Sequence, residues 1–358
     1  LQAVKHFYGT IKFFHLNLPL SPFIIMNPFT IFYLTCSFIN SFKNYDLIHV
    51  HGKYMLPPAW LAAKWCRKPI IVTIRDYKIL CPYGYCIQHQ GFACNWIRIW
   101  LKDLPEYIKN FSIPIWIIPF QLIGTLNGSL ASFILKWLAN RCHGVIYIRE
   151  FIQIIFKKNG LITNSEVIYN LPPKLPNSIN ISKRRKATKP LVLMVSASLS
   201  KGKGMDLFLQ SAQLLKDQAD FWVIGKITKQ TPLDNQSVKY LGKLSYTKVL
   251  ETMEISDIVV VPSVWPEPHG RVPMEAMALS KPVIVTNAGG LKESVIDQET
   301  GFIVNPDSKS IVKALVKLIK DQKLRIKMGK KGNAYLNNKY NPEKQINRLI
   351  SYYEEKIK

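Results

Sequence analysis

Glu267 and Glu275 stand eight residues apart in the segment 265–278 (WPEPHGRVPMEAMA), separated by Gly270 and by the start of a helix near Val272. That spacing puts one carboxylate on a loop and the other on the first turn of the helix. Between them the backbone N–H groups of Gly270, Arg271 and Val272 have no partners inside the helix and point outward. N–H groups at the positive end of a helix macrodipole make an anion site, well suited to a diphosphate. The flanking carboxylates can accept hydrogen bonds from sugar and ribose hydroxyls. A first-turn acid favouring the dipole and a solvated loop charge would leave the same two glutamates, so spacing alone does not choose. Gly289 and Gly290 follow a strand and precede Glu293. A glycine pair there permits close backbone approach to a ligand, or serves a tight strand-to-helix turn.

Other residue types with chemistry lie in the first half. His49 and His51 occur in DLIHVHG near a strand end, where they either line a cleft or serve structure. Cys81, Cys86 and Cys94 form a C-x4-C-x7-C cluster with His89 nearby. Three thiolates and an imidazole could hold zinc, but the spacing is unlike paired C-x2-C knuckles. Buried thiols, or a loop of acceptor specificity, are the preferred reading, and no metal is expected. Asp-x-Asp occurs nowhere, so a divalent ion bridging a diphosphate is not indicated.

The elements that must position these residues follow from hydropathy. Residues 46–50, 69–74, 143–148 and 166–169 read as buried strands, with a helix over 57–66. Continuous apolar strands alternating with helices imply a parallel sheet covered on both faces. Residues 171–190 carry Pro172, Pro173, Pro176 and Pro190 with a basic run at 183–186, which marks a linker. The alternation then restarts. Strands are expected at 191–197, 221–225, 238–241, 257–261, 282–286 and 302–304, with helices at 205–215, 246–254, 272–279 and 310–320. A last helix at 341–358 is expected to return to the first domain. The fold class is therefore α/β, with two Rossmann-like doubly wound domains facing across a cleft. Residues 1–170 form the N-terminal domain and 191–340 the C-terminal domain; the resemblance given below makes the first the acceptor side and the second the donor-binding side.

The chain has 358 residues, 48% hydrophobic and 20% charged, enough for two folded cores. It carries 48 Lys and Arg against 23 Asp and Glu, a formal charge of +25. Such a field attracts anions: nucleic acid, anionic lipid headgroups or phosphorylated substrates. The lysines spread along helix faces such as 313–331 and belong to no nucleic-acid recognition module, so no nucleic-acid partner is expected. Six cysteines without a secretory signal suggest a cytoplasmic chain with reduced thiols. The first residue is Leu1 rather than Met, which leaves room for residues upstream. Residues 16–42 and 110–135 carry no formal charge, but prolines and small polar residues interrupt both. Buried helices and loops are the reading preferred. The alternative is a face lying on an anionic membrane, helped by Trp116, Phe120 and Trp137, and would make the chain peripheral at the inner face of the cell membrane.

Taken with the stretches KPVIVTNAGGLKESVIDQETGFIVNP, VLMVSASLSKGKGMDLFLQSA, DLIHVHG and TIRDYKILCP, the Glu-x7-Glu segment resembles the retaining family 4 glycosyltransferases of the GT-B fold. The resemblance covers nearly the whole chain from about Tyr45. It implies transfer of a sugar from a UDP- or GDP-sugar, without a cofactor, to an acceptor hydroxyl with retention. The setting it suggests is glycolipid or polysaccharide assembly, with an acceptor that is in some cases lipid-linked. By the same resemblance Glu267 lies beside the donor sugar hydroxyls and Glu275 holds the ribose. Gly270, Arg271 and Val272 meet the diphosphate, Lys203 neutralises it as it leaves, and Ser198, Gly289 and Gly290 complete the donor site. Arg75 and Asp76 fall on the acceptor side with His49 and His51. Three departures stand out. Ala197-Ser198 replaces the usual Gly-Arg, with Lys201 as a nearby basic substitute, and Arg75-Asp76 replaces His-Asp. Nothing in residues 1–42 offers the family's Gly-rich turn, since Gly9 stands alone, so the N-terminal domain is expected to lack its first strand. These departures keep two alternatives open: a relative that binds nucleotide sugar without transfer, and a sugar-nucleotide epimerase.

Overall fold

The structure, a computed structural model, describes residues 27–83, 96–110, 113–175, 188–228, 231–232 and 236–358. Two compact units emerge, one formed by Leu1–Asn170 with Pro342–Lys358 and the other by Leu171–Asn341. Most of the linker segment, and the whole region that would hold a first strand before residue 27, lie outside the described residues.

The first unit opens with helix α1, Pro28–Phe42, started by the Asn27 side chain accepting from the Phe29 N–H with proline at the first position. Then follow β1 (Ile48–His51), α2 (Leu56–Trp65), β2 (Ile70–Ile74), α3 (Leu104–Asn110), α4 (Ile118–Ala139), β3 (Gly144–Tyr147), α5 (Glu150–Lys158) and β4 (Ser165–Val167). The four strands pair in parallel in the order β1-β2-β3-β4. Because each strand is laid beside its predecessor in one direction, right-handed crossovers put α2, α4 and α5 on the same face of the sheet.

Within the uncharged stretches, Pro28–Phe42 and Ile118–Ala139 form helices, but not the buried ones expected. On α1 only Leu34, Phe38 and Phe42 are buried, while Phe29, Phe32 and Tyr33 are exposed. On α4 the buried residues are Thr125, Ser129, Ser132, Leu135, Leu138 and Ala139, whereas Phe120, Ile123, Leu126, Leu130, Phe133 and Trp137 are exposed. The physical reason is volume. Small inward side chains let the helix approach Pro82, where a Cβ at Gly128 would come within 2.6 Å of the proline ring, and the large residues are left outside.

The second unit contains β5 (Leu191–Ser198), α6 (Met205–Leu215), β6 (Asp220–Lys226), β7 (Lys239–Tyr240), α7 (Tyr246–Glu254), β8 (Ile258–Val261), α8 (Arg271–Ala278), β9 (Val283–Thr286), β10 (Gly301–Val304), α9 (Ser308–Lys320) and α10 (Gln322–Lys339). All six strands are parallel, in the order β10-β9-β8-β5-β6-β7. The chain winds outward from β5 to β7, then returns to β8 on the other side, so the switch point falls between β5 and β8. Strands β8 and β9 are fully buried, which is why they read as unbroken β-branched runs. Helix α9 seats Ile311, Ala314, Leu315 and Leu318 on the core beside Phe302 and is capped by Asp307, whose carboxylate accepts from the Ser310 N–H at 2.7 Å.

Helix α11, Pro342–Ile357, belongs to the first unit and covers the other face of its sheet. Tyr352 packs with Ile71, Ile146 and Ile168. Its hydroxyl accepts from the Val145 N–H at 3.1 Å and donates to the Asn164 carbonyl at 3.1 Å. Gln345 accepts from the Tyr169 N–H at 3.0 Å.

Candidate active site

In a doubly wound sheet the loops leaving the carboxyl ends of the strands at the switch point lie side by side. Here they are the turn after β5 and the loop after β8. The Gly202 carbonyl accepts from the Val264 and Trp265 N–H groups at 3.0 and 3.1 Å, stitching one to the other. Gly204 starts α6 with φ +77°, and a Cβ there would lie 1.8 Å from the Pro262 carbonyl oxygen. This close packing brings Lys203 against Glu267 as an ion pair, although 64 residues separate them. Both side chains are largely withdrawn from solvent. The Ser263 hydroxyl donates to the same Glu267 oxygen at 2.6 Å, and the Ser263 carbonyl is held in turn by the Thr286 hydroxyl.

The Glu267 backbone is fixed as firmly. It bridges to Gly289, and its carbonyl accepts from the Gly290 N–H at 2.7 Å. Gly289 has φ +65°, and a Cβ there would lie 2.6 Å from the Pro266 carbonyl carbon. The glycine pair thus lets the backbone after β9 lie against the Pro266–Glu267 backbone. The backbone approached here is the protein's own.

Helix α8 starts at Arg271, one residue earlier than its apolar pattern indicates, with Gly270 as an extended N-cap that carries no side-chain cap. Glu275 is therefore its fifth residue, on the second turn; the first-turn placement is corrected. The carboxylate is 4% exposed and receives Arg271 Nε at 2.9 Å and a hydrogen bond from Tyr246. The Arg271 guanidinium lies 5.1 Å from the Tyr246 ring centre. Burial raises the Glu275 pKa, and Arg271 and Tyr246 offset only part of that.

A carboxyl group that is harder to ionise folded than unfolded costs stability above its unfolded pKa, and the cost fades as pH falls. Glu275→Gln is therefore expected to raise the unfolding midpoint of the protein without nucleotide at pH 7.5. The gain should shrink toward pH 4.5. Thermal melts at the two pH values, wild type against variant, measure it; an equal shift at both would remove the electrostatic explanation.

The other residues read from the sequence as donor-side candidates also fall in the second unit. Ser198 ends β5 beside Lys226, and its carbonyl accepts from the Ser196 hydroxyl at 2.9 Å. Lys201 is well exposed, 4.0 Å from Asp206. Val272 is the second residue of α8. Sequence reasoning missed Ser263, Thr286 and Tyr246, which orient the two glutamates. Their one sequence signal is position: Ser263 and Thr286 stand at or just beyond the ends of buried strands, and Tyr246 opens a helix.

In the first unit, both ring nitrogens of His49 are engaged, Nδ1 with the Tyr353 hydroxyl of α11 at 2.5 Å and Nε2 with the Thr73 hydroxyl at 2.6 Å. Burial, with His51 and Arg75 nearby, holds its pKa well below the usual histidine value. Arg75 donates to His51 Nδ1 at 3.0 Å; desolvation of the ring and the guanidinium together hold His51 at about 4. Asp76 caps the turn after β2 by accepting from the Lys78 N–H at 2.8 Å. Cys81 is buried, its thiol 4.0 Å from Asp103. Cys86, Cys94 and His89 lie outside the described residues. Among the described residues no three His, Cys, Asp or Glu side chains are grouped to hold a metal.

The family model of the group 1 glycosyl transferases matches residues 177–335, the span that carries the Lys203–Glu267 pair and α8. The N,N'-diacetylbacillosaminyl-diphospho-undecaprenol alpha-1,3-N-acetylgalactosaminyltransferase of Campylobacter jejuni is 26% identical over 87% of the chain and 76% of its own length. The chain is a glycosyltransferase. A second relative of this glycosyltransferase, the capsular polysaccharide biosynthesis enzyme CapM of Staphylococcus aureus, is 31% identical, with 44% of each chain covered. Among solved structures, HepE of Anabaena in complex with UDP matches with a TM-score of 0.65 at 20% identity, over 90% of this chain and 82% of that one. The glycosyltransferase has the two Rossmann-like domains of the GT-B fold.

Proposed function

We propose that this glycosyltransferase moves a sugar from a nucleoside-diphosphate sugar to an acceptor hydroxyl with retention of configuration. The carrying observation is the clasp of Glu267 by Lys203 and Ser263, next to the uncapped helix start at Gly270. A helix N-terminus and a lysine meet a diphosphate, Glu267 accepts from sugar hydroxyls, and Glu275, pre-oriented by Tyr246 and Arg271, accepts from the ribose. As the bond from the anomeric carbon to the phosphate oxygen breaks, its electron pair leaves with the diphosphate. Lys203 and the α8 N–H groups stabilise that developing charge. The acceptor oxygen bonds to the anomeric carbon on the same face and passes its proton to the departing phosphate oxygen.

UDP in the HepE structure and the diphospho-undecaprenol substrate named for the Campylobacter relative support a UDP-sugar and a lipid-linked acceptor. The excess of basic residues supports contact with an anionic membrane. Ser198 and Arg75, at positions where the resemblance leads one to expect other residues, favour a second reading: retained nucleotide binding without transfer. A screen separates the two. UDP, but not ADP, is expected to raise the melting temperature, and incubation with UDP-sugars and polyprenyl-diphosphate sugars is expected to yield a product one sugar heavier by mass, chelator present or absent. Stabilisation by UDP with no product across the screen would establish the second reading.

A further inference from the structure

We propose that the outer face of helices α1, α2 and α4 is a membrane-docking surface, and that α4 lies in the plane of an anionic bilayer rather than crossing it. The proposal deepens the lipid-linked reading above by giving the first unit a defined membrane face.

The first observation is that α4 has its polarity reversed. Its inward stripe begins with Thr125, Ser129 and Ser132, and its outward stripe carries Phe120, Ile123, Leu126, Leu130 and Phe133. A helix packed on a sheet in water puts the large apolar residues inside. Here 17% of the most apolar window of residues 115–139 is buried. The outward face does not stop at α4. Trp116 is 73% exposed just ahead of it, Trp65 on α2 is 75% exposed, and Phe29 on α1 is 84% exposed. Helix α2 packs against both α1 and α4, and Trp60 meets Trp137 with ring centres 5.9 Å apart, so the helices that carry the exposed residues form one layer. A patch of this extent on a water-soluble surface marks an interaction site.

The choice of a bilayer over a second copy of the chain rests on charge. The patch is rimmed by cations set on its aromatic rings: Arg141 lies 3.7 Å from the Trp137 ring centre and Lys64 lies 5.3 Å from that of Trp60. Residues 1–170 hold 17 Lys and Arg against six Asp and Glu. Two such faces repel each other, whereas apolar residues ringed by tryptophan and basic side chains match acyl chains below and anionic headgroups above. The in-plane placement follows from topology. At about 33 Å, 22 helical residues are long enough to span. However, α4 is the crossover between the paired strands β2 and β3, and Leu135, Leu138 and Ala139 are buried on the sheet side. Crossing the bilayer would pull those residues off the sheet that the two strands share.

The test is co-sedimentation of the full chain with vesicles of phosphatidylglycerol and phosphatidylethanolamine, against phosphatidylcholine alone. Wild type is expected to pellet with the anionic vesicles and to bind neutral ones at least fivefold more weakly. Phe120→Glu with Phe133→Glu is expected to weaken binding at least tenfold, as is Leu130→Asp alone, while Leu214→Glu on the second unit binds as wild type. All these side chains are exposed, and an unchanged melting temperature and UDP-induced shift confirm folding and keep this test independent of the donor site. Equal binding of wild type and the charge variants to anionic vesicles would overturn the proposal. So would equal wild-type binding to neutral vesicles, or light scattering showing a vesicle-independent dimer that the variants dissolve.

Discussion

Glu267→Gln is expected to lower sugar transfer by about 10²–10³-fold while leaving the UDP-induced rise in melting temperature nearly intact. The substitution keeps size and shape, and an amide oxygen that can still accept from Ser263, but removes the charge that Lys203 pairs with. Two consequences separate from each other. The hydroxyl-binding group is weakened directly, and Lys203 is released from its fixed place between the β5 and β8 loops. A charge that must be re-oriented during the reaction stabilises a leaving group less than one already aimed at it. Ser263→Ala isolates the positioning part, because it removes one hydrogen bond and leaves the carboxylate. A loss of about tenfold is expected there, in turnover rather than in substrate affinity. Full transfer by Glu267→Gln would remove Glu267 from the chemistry.

Gly204→Ala carries the largest expected structural effect. The residue sits at φ +77°, and the added Cβ would meet the Pro262 carbonyl at 1.8 Å, a backbone atom with little freedom to move. Left-handed strain and overpacking together cost roughly 2–5 kcal/mol, which lowers the unfolding midpoint by on the order of 10 °C. The control is Gly160→Ala, where φ is +81° but nothing lies within 4 Å, so strain acts alone. A differential scanning measurement of both variants checks the argument. Equal shifts would mean that the contact with the Pro262 carbonyl contributes nothing. Because Gly204 adjoins Lys203, its alanine variant should also lose transfer, whereas Gly160→Ala should keep it.

What could be read from the chain depended on distance along it. The Glu-x7-Glu segment, the glycines and the strand runs are local features, and hydrophobic periodicity placed the main strands within two or three residues of where they form. The partnership of Lys203 with Glu267 is not local. It exists because β8 pairs with β5 after β6 and β7 have been laid on the far side, an order that no residue pattern announces. Ser263, Thr286 and Tyr246 were illegible for the same reason. The apolar run of α4 was visible, but hydropathy does not say which way a helix is turned. Thr125, Ser129 and Ser132 looked like interruptions of a buried segment, and they are instead its inward face. Glu275 was read as a first-turn residue because Arg271, an exposed cation, conceals a helix start one residue earlier.

The return of α11 to the first sheet has a consequence for biogenesis. Tyr352 and Tyr353 supply partners to Val145, Asn164 and His49, yet they are synthesised only after the whole second unit. The second unit is continuous in sequence and can close on itself as soon as its final helix emerges. The first, begun earlier, must wait until residues 342–357 have followed the second unit before one side of its sheet is covered. Until then that side presents apolar strand residues such as Ile71 and Ile146 to chaperones and to neighbouring nascent chains.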